Sequence, residues 1–337
     1  MKVLHVGVFR DHALGLDHVC RSGFLKNGID PICFDFRSSA EEMGLERMNQ
    51  SLLEQGADSD LIFITKGELI QPLTLKRLRE KGAQVSIFYG DIRQEPENWL
   101  VDNCPHCDVF FMTSAGDVLK HYYEVCKPSR AAFVWNPSNP ELPDEFRDVP
   151  RSVDPPLFTA TVHPHMGSER RAVYEYLCRR RDVSMVGCSD RVFRWDILNR
   201  LYYKIHPPHY LRGRDYIERI IRSRFGIGVS AMQNVKYYTS DRLVHYLTFG
   251  KCFLAYRFPG CEDVLQNGVH VVYYDGIDDL ARKIDYYLEH PDQAEKIGVS
   301  GQRKVLEEYN AERIVHLMLD ILRSGGSNLF PWVEVYG

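Results

Sequence analysis

Largely apolar, β-branched runs of strand length alternate with amphipathic stretches along the first part of the chain. Residues 3–8, 32–36, 61–65, 85–89, 109–112 and 131–134 form the apolar runs, the pattern of strands covered on both faces. Between them, residues 17–27, 41–55, 72–81 and 117–126 place apolar side chains at helical spacing. Strand and helix in alternation predict βαβ units around a parallel sheet. A proline-rich stretch of weak periodicity, residues 136–156, then reads as an interdomain linker.

A second alternating set follows. Strands are expected at residues 157–162, 183–186, 226–231, 252–255 and 271–274, with helices opening near Gly167 and at residues 242–249, 279–288 and 311–323. The last of these carries Ile314, Leu317, Met318, Ile321 and Leu322 on one face, and residues 329–333 are apolar again. The expected fold is α/β, with two Rossmann-like domains facing a central cleft and ligands at the carboxyl ends of their strands. Domain bounds are expected at residues 1–150 and 151–309, with 310–337 as a C-terminal helix and tail.

Length agrees with this, since 337 residues exceed the usual span of one core. Hydrophobic content of 44% beside 26% charged residues is ordinary for a globular protein. The sequence has no apolar run of about 18 residues and its start lacks signal-peptide regions, so a cytoplasmic protein without a membrane span is expected. Nine cysteines then read as reduced thiols. Cys104-Pro105-His106-Cys107 has zinc-knuckle spacing, but no second pair follows, and no metal is assigned.

A net charge of −4 argues against a protein coated for nonspecific nucleic-acid binding. Residues 190–224 differ from the whole: nine Lys or Arg stand against four acids there, interleaved with aromatics. Such a stretch suits phosphates and stacked bases or sugars. A solvated helix face with core aromatics is the simpler account and the favoured one.

Two turns carry the clearest chemistry. Ser240 and Asp241 are N-cap types for the helix at 242–249, whose free N–H groups and positive end suit a phosphate, and Arg242 adds a forked donor for a diphosphate. Gly167-Ser168-Glu169-Arg170-Arg171 opens another helix directly after a strand. Two helix N-termini with adjacent arginines can stand in for a divalent cation, although plain capping accounts for each turn alone. The loop at 257–263 delivers Glu262 and Asp263, carboxylates suited to a ribose hydroxyl.

In the first half, Asp91 directly follows a strand and can accept a proton from an attacking hydroxyl, with Tyr89 and Arg93 shaping its surroundings. Arg10, Asp11 and His12 follow the first strand, where His12 can serve as base with Asp11 orienting it. Lys66 follows the third. Each is also the kind of residue found in an idle solvated loop. Asp58-Ser59-Asp60 precedes its strand and reads as a turn, and Gly226-x-Gly228 lies inside a strand, which makes it a poor dinucleotide signature.

Ser240-Asp241-Arg242, Phe249-Gly250, Phe258-Pro259-Gly260, Gly268, Tyr273 to Asp275, and the Asp279 to Leu288 helix ending in His290-Pro291 resemble, in this order, the C-terminal domain of the group 1 glycosyltransferases. The spore-maturation, CgeB-like branch is the most similar. The resemblance implies the GT-B fold, a C-terminal helix crossing back to the first domain, and metal-independent transfer from a nucleotide-diphosphate sugar, with a UDP-sugar favoured and no further cofactor. Branch members occur in spore-forming bacteria and bacteriophages. The implied acceptors are therefore a surface polysaccharide, a protein or a hydroxymethylated DNA base. One departure stands out: members commonly carry a glutamate on the helix after the serine turn, and Leu243 to Tyr246 supply none. A nucleotide-sugar 2-epimerase and a non-catalytic nucleotide-sugar binding module remain as alternatives.

Overall fold

A computed structural model describes residues 1–9, 14–160, 167–188, 196–206 and 210–337. The chain divides into two compact units, one of Met1–Asn139, Val235–Tyr237 and Tyr309–Gly337, the other of Pro140–Asn234 and Tyr238–Glu308. The division thus falls at 139/140 rather than 150, and the proline-rich stretch is no bare linker: it holds the turn Leu142–Glu145, with Leu142 and Phe146 buried in the second unit.

The first unit runs β1 (Val3–Gly7), α1 (Leu16–Lys26), β2 (Ile32–Asp35), α2 (Phe36–Met43), α3 (Leu45–Gln55), β3 (Leu61–Thr65), α4 (Pro72–Glu80), β4 (Gln84–Tyr89), α5 (Asn98–Asn103), β5 (Val109–Met112), α6 (Asp117–Cys126) and β6 (Arg130–Phe133). The single helix expected at 41–55 is two, because Gly44 takes a φ of 85° that ends α2 and opens α3. Asp35 begins α2 by accepting the N–H of Ser38 at 2.8 Å.

The second unit runs α7 (Leu142–Glu145), β7 (Leu157–Thr159), α8 (Ser168–Leu177), β8 (Ser184–Val186), α9 (Asp196–Ile205), α10 (Gly213–Arg222), β9 (Gly226–Gly228), α11 (Asp241–Thr248), β10 (Phe253–Tyr256), α12 (Cys261–Val264), β11 (Val272–Tyr274), α13 (Gly276–Glu289) and α14 (Pro291–Glu307). The chain then returns to the first unit as α15 (Ala311–Ser324) and β12 (Val335–Tyr336). Asn310 caps α15 by accepting the N–H of Arg313 at 2.9 Å. The helix packs along α1, where a side chain at Gly23 would overlap the Ala311 carbonyl.

Strand order in the first sheet is β12-β6-β5-β4-β3-β1-β2, parallel except for the antiparallel β12, which pairs Val335 with Ala132. The second sheet is β11-β10-β9-β7-β8, parallel throughout. In each, the first strand of the unit lies between the second and the third, so strand order reverses between β1 and β3 in one unit and between β7 and β9 in the other. Open α/β sheets bind ligands outside the carboxyl ends of the strands at such a switch point. Each unit therefore has one favoured place for a site.

Candidate active site

At the β7/β9 switch point two helix N-termini converge. Helix α8 opens at Gly167, and a Cβ there would lie 3.3 Å from the carbonyl oxygen of Ala231, just past β9. Helix α11 opens at Ser240, whose N–H donates to Ser230 Oγ at 3.1 Å, while Gln233 Nε2 braces the Ser230 carbonyl at 2.6 Å. Ser240 Oγ accepts the N–H of Arg242 at 3.4 Å and donates to Asp241 at 3.0 Å. The strand-to-helix crossings bring both turns to the same end of the sheet.

Arg170 and Arg242 stand on these two turns, close enough to repel. Burial, then the charge of Arg242, pulls the Arg170 guanidinium down to about 10. Arg242 Nε is buried with no hydrogen-bond partner among the described residues. Two mutually repelling, partly desolvated guanidiniums at converging helix N-termini make a site of high positive potential. An anion with several oxygens relieves that cost, and a diphosphate has the span for two forks.

Asp241 answers part of this charge. Desolvation pushes its carboxyl up, but His245, Arg242, the Ser240 hydroxyl and the Arg242 N–H together hold it below the usual carboxylate range. Ser168 turns its hydroxyl to Glu169 at 2.9 Å. On the β10–β11 side, Glu262 accepts from the Asn267 N–H and from Arg257, each at 3.0 Å, and both hold its carboxyl low. Glu262 thus locks the 257–267 loop, and Asp263 follows it, exposed, on α12. Arg257 bridges on to Asp275 at 3.2 Å.

In the first unit, Lys66 and Asp91 meet as an ion pair of 3.4 Å at the ends of β3 and β4. Lys66 takes a left-handed φ of 68°, unusual for a residue with a side chain and of the kind found where a loop is held for function. Tyr89, expected beside a substrate, instead lies in the core: its ring stacks toward Phe110 and its hydroxyl donates to Glu97 at 2.9 Å. The pleat explains the difference, since a side chain on a central strand faces a packed helix layer. Arg93 sits beside it; desolvation works against its charge, while Tyr89, Glu97 and Asp91 raise its pKa. Arg10, Asp11 and His12 lie outside the described residues. Sequence reasoning missed Ser230 and, at the β1/β3 switch point, Gly7, Asp17 and Thr65.

Among the described residues no group of three His, Cys, Asp or Glu is placed to hold a metal ion, and no helix is long and apolar enough to cross a membrane. Asp58-Ser59-Asp60 does precede β3, and Asp60 accepts the N–H of Lys2 at 2.6 Å, a turn contact.

Two parallel-sheet Rossmann-like units in one chain define the GT-B fold, and comparison with known proteins agrees. Residues 170–320 match the family described as glycosyl transferase-like, a span that begins at Arg170 and includes Arg242. HepE from Anabaena, solved in complex with UDP-glucose, superposes with a TM-score of 0.65 at 12% identity, over 96% of this chain and 100% of that one. A glycosyltransferase from Rickettsia africae and the sucrose-phosphate synthase of Thermosynechococcus elongatus each superpose at a TM-score of 0.60, with 14% identity over 96% of this chain and 98% of theirs. At these identities the likeness is one of fold. No curated protein sequence matches the chain.

Proposed function

We propose that the chain is a metal-independent glycosyltransferase that moves a sugar from a UDP-sugar to a hydroxyl acceptor. The observation carrying this reading is the meeting of Arg170 and Arg242 at two helix N-termini on the β7/β9 switch point. They would hold the diphosphate and stabilise the charge that develops as it leaves, the part a divalent cation plays elsewhere. Ser240, Asp241, Gly167 and Ser168 shape that cradle, and Glu262 or Asp263 would take the ribose. The glycosyl transferase-like match over residues 170–320 and the fold shared with HepE, solved with UDP-glucose, support the donor class. Lys66, Asp91 and Arg93 form the acceptor side. Within the group 1 enzymes, the spore-maturation-like branch is the reading the serine turn and its following loop favour.

Thermal-shift titration with UDP and UDP-sugars, in magnesium and in EDTA, tests this. A UDP-sugar shift equal in both buffers is expected, since a ligand at a hundred times its Kd stabilises by about 2.7 kcal/mol. Absence of any shift, or one that needs magnesium, would overturn the donor or the metal-free part respectively.

A further inference from the structure

Helix α9 handles its aliphatic residues unlike the helix that follows it. In α10, Ile217, Ile220 and Ile221 are buried, whereas in α9 Ile197, Leu198, Leu201 and Ile205 are all 42–74% exposed. Ile197, Leu201 and Ile205 recur at four-residue intervals and Leu198 lies seven residues before Ile205, so the four share one side of the helix. Lys204, seven residues after Ile197, is exposed beside them. The polar, solvated face expected of residues 190–224 is thus replaced in α9 by an aliphatic one.

A single exposed leucine is ordinary, but four aliphatic side chains on one side of one helix forgo burial that folding would otherwise favour. The charge around them narrows what covers that side. The chain as a whole carries a net charge of −4, yet the stretch 190–224 that contains α9 has nine Lys or Arg against four acids. Trp195, Tyr202, Tyr203 and Tyr210 are interleaved with them in sequence. Aliphatic side chains flanked by cations and amphipathic aromatics are the composition of a helix that lies in the surface of a membrane. None of the described helices is long and apolar enough to cross one.

We propose that α9 docks the protein on an anionic lipid bilayer. Ile197, Leu198, Leu201 and Ile205 enter the boundary between headgroups and acyl chains, and Lys204 and the basic residues around α9 meet the lipid phosphates. No nucleotide sugar is needed for this contact, so it stands apart from the transferase reading.

Other occupants fit the same residues less well. A nucleic acid would use the cations and the rings but leave the aliphatic side chains in water. A second copy meeting α9 about a two-fold axis would bring the same basic stretch against itself, where like charges repel. An anionic bilayer satisfies the aliphatic and the basic residues together.

The test is co-sedimentation of the full chain with vesicles of phosphatidylcholine alone and of phosphatidylcholine mixed with phosphatidylglycerol. The wild type should bind the mixed vesicles, more weakly as salt is raised, and bind the neutral ones far less. The triple variant Ile197→Gln, Leu201→Gln, Ile205→Gln should keep the wild-type circular dichroism and Tm, since exposed positions are exchanged for a good helix former, while its vesicle affinity falls about tenfold or more. Lys204→Glu should lower the affinity about five- to thirtyfold, the weight of one to two charges near the surface. No binding of the wild type to mixed vesicles, equal binding to both kinds, or undiminished binding by the triple variant would each overturn the proposal. A wild type that ignores vesicles but forms a dimer which the triple variant loses would overturn it as well, and give this side of α9 to a second copy.

Discussion

Lys66 Nζ lies 3.4 Å from Asp91 Oδ2, joining the carboxyl ends of β3 and β4 by two charges that both face solvent. Pairs this exposed contribute little to stability, typically under about 1 kcal/mol. The left-handed backbone of Lys66 is therefore not explained by the ion pair, and the acceptor role proposed above would account for both.

Substitution should separate the two contributions. Lys66→Met and Asp91→Asn are each expected to shift Tm by no more than about 3 °C, and to raise the acceptor KM by about ten- to hundredfold, the weight of one lost charged hydrogen bond. Calorimetry beside steady-state kinetics measures both. A large loss of Tm with unchanged KM would make the pair a structural clamp.

Arg170 and Arg242 predict the reverse relation between stability and binding. Because each guanidinium is partly desolvated beside another positive charge, removing one relieves repulsion in the free protein. Arg242→Ala is expected to keep or raise the apo Tm while abolishing the UDP shift. If Arg242→Ala lowers Tm and still binds UDP with wild-type affinity, the two arginines are part of the core and the diphosphate site lies elsewhere.

Much of the fold was legible from periodicity, because strands buried on both faces leave continuous apolar runs: those at 61–65 and 109–112 coincide with β3 and β5. The two-residue β12 was not legible, since so short an edge strand has no period and exists only where Phe133 and its neighbours offer unpaired backbone. The break at Gly44 lay in plain view but inside an otherwise helical pattern, and only its positive φ shows that the glycine splits it. In the second unit, the serine and glycine turns were readable because helix capping is local chemistry. Asp17 was not, because its partners His5 and Thr65 are distant in sequence and meet only through sheet order. Tyr89 failed for a related reason: sequence placed it at a strand end but could not say which face of the pleat it took.

Lys251 gives a pH signature to the second unit. It is 2% exposed, its Nζ donates to Ser152 Oγ at 2.9 Å, and burial followed by the charge of Arg151 lowers its pKa to about 7, against a weaker pull from Glu295. Above pH 7 the folded protein has released this proton while the unfolded chain keeps it up to about 10.4. The unfolded state then binds more protons, so this group makes stability rise with pH across that window, by up to about 1.4 kcal/mol per unit. Below pH 7 the full cost of burying the charge remains. Lys251→Met should remove that rise and be more stable than wild type at pH 6, measured as the difference between two urea-denaturation series. Parallel pH profiles for the two proteins would show that Lys251 carries no buried charge.

Gly228 sets the last expectation, because β9 leads directly to Ser230 and the turn that opens α11. It ends the strand beneath the Phe253 ring of β10: a Cβ at Gly228 would overlap the ring tip and lie 2.8 Å from Cε1. Its carbonyl also accepts the buried Tyr274 hydroxyl at 3.0 Å. The pair of glycines at 226 and 228 is thus a packing device, with Tyr246 and Phe253 filling the space, and not a phosphate loop. Gly228→Ala is expected to cost about 1–3 kcal/mol by overpacking. Since Ser230 follows two residues later and anchors Ser240, the same shift should weaken UDP binding. Trimming the ring in Gly228→Ala/Phe253→Leu should recover part of both, because the added methyl then fills the space the ring vacates. Additive losses in the double variant would mean that the two residues do not share that space, and that the β9 glycines answer to something other than the Phe253 ring.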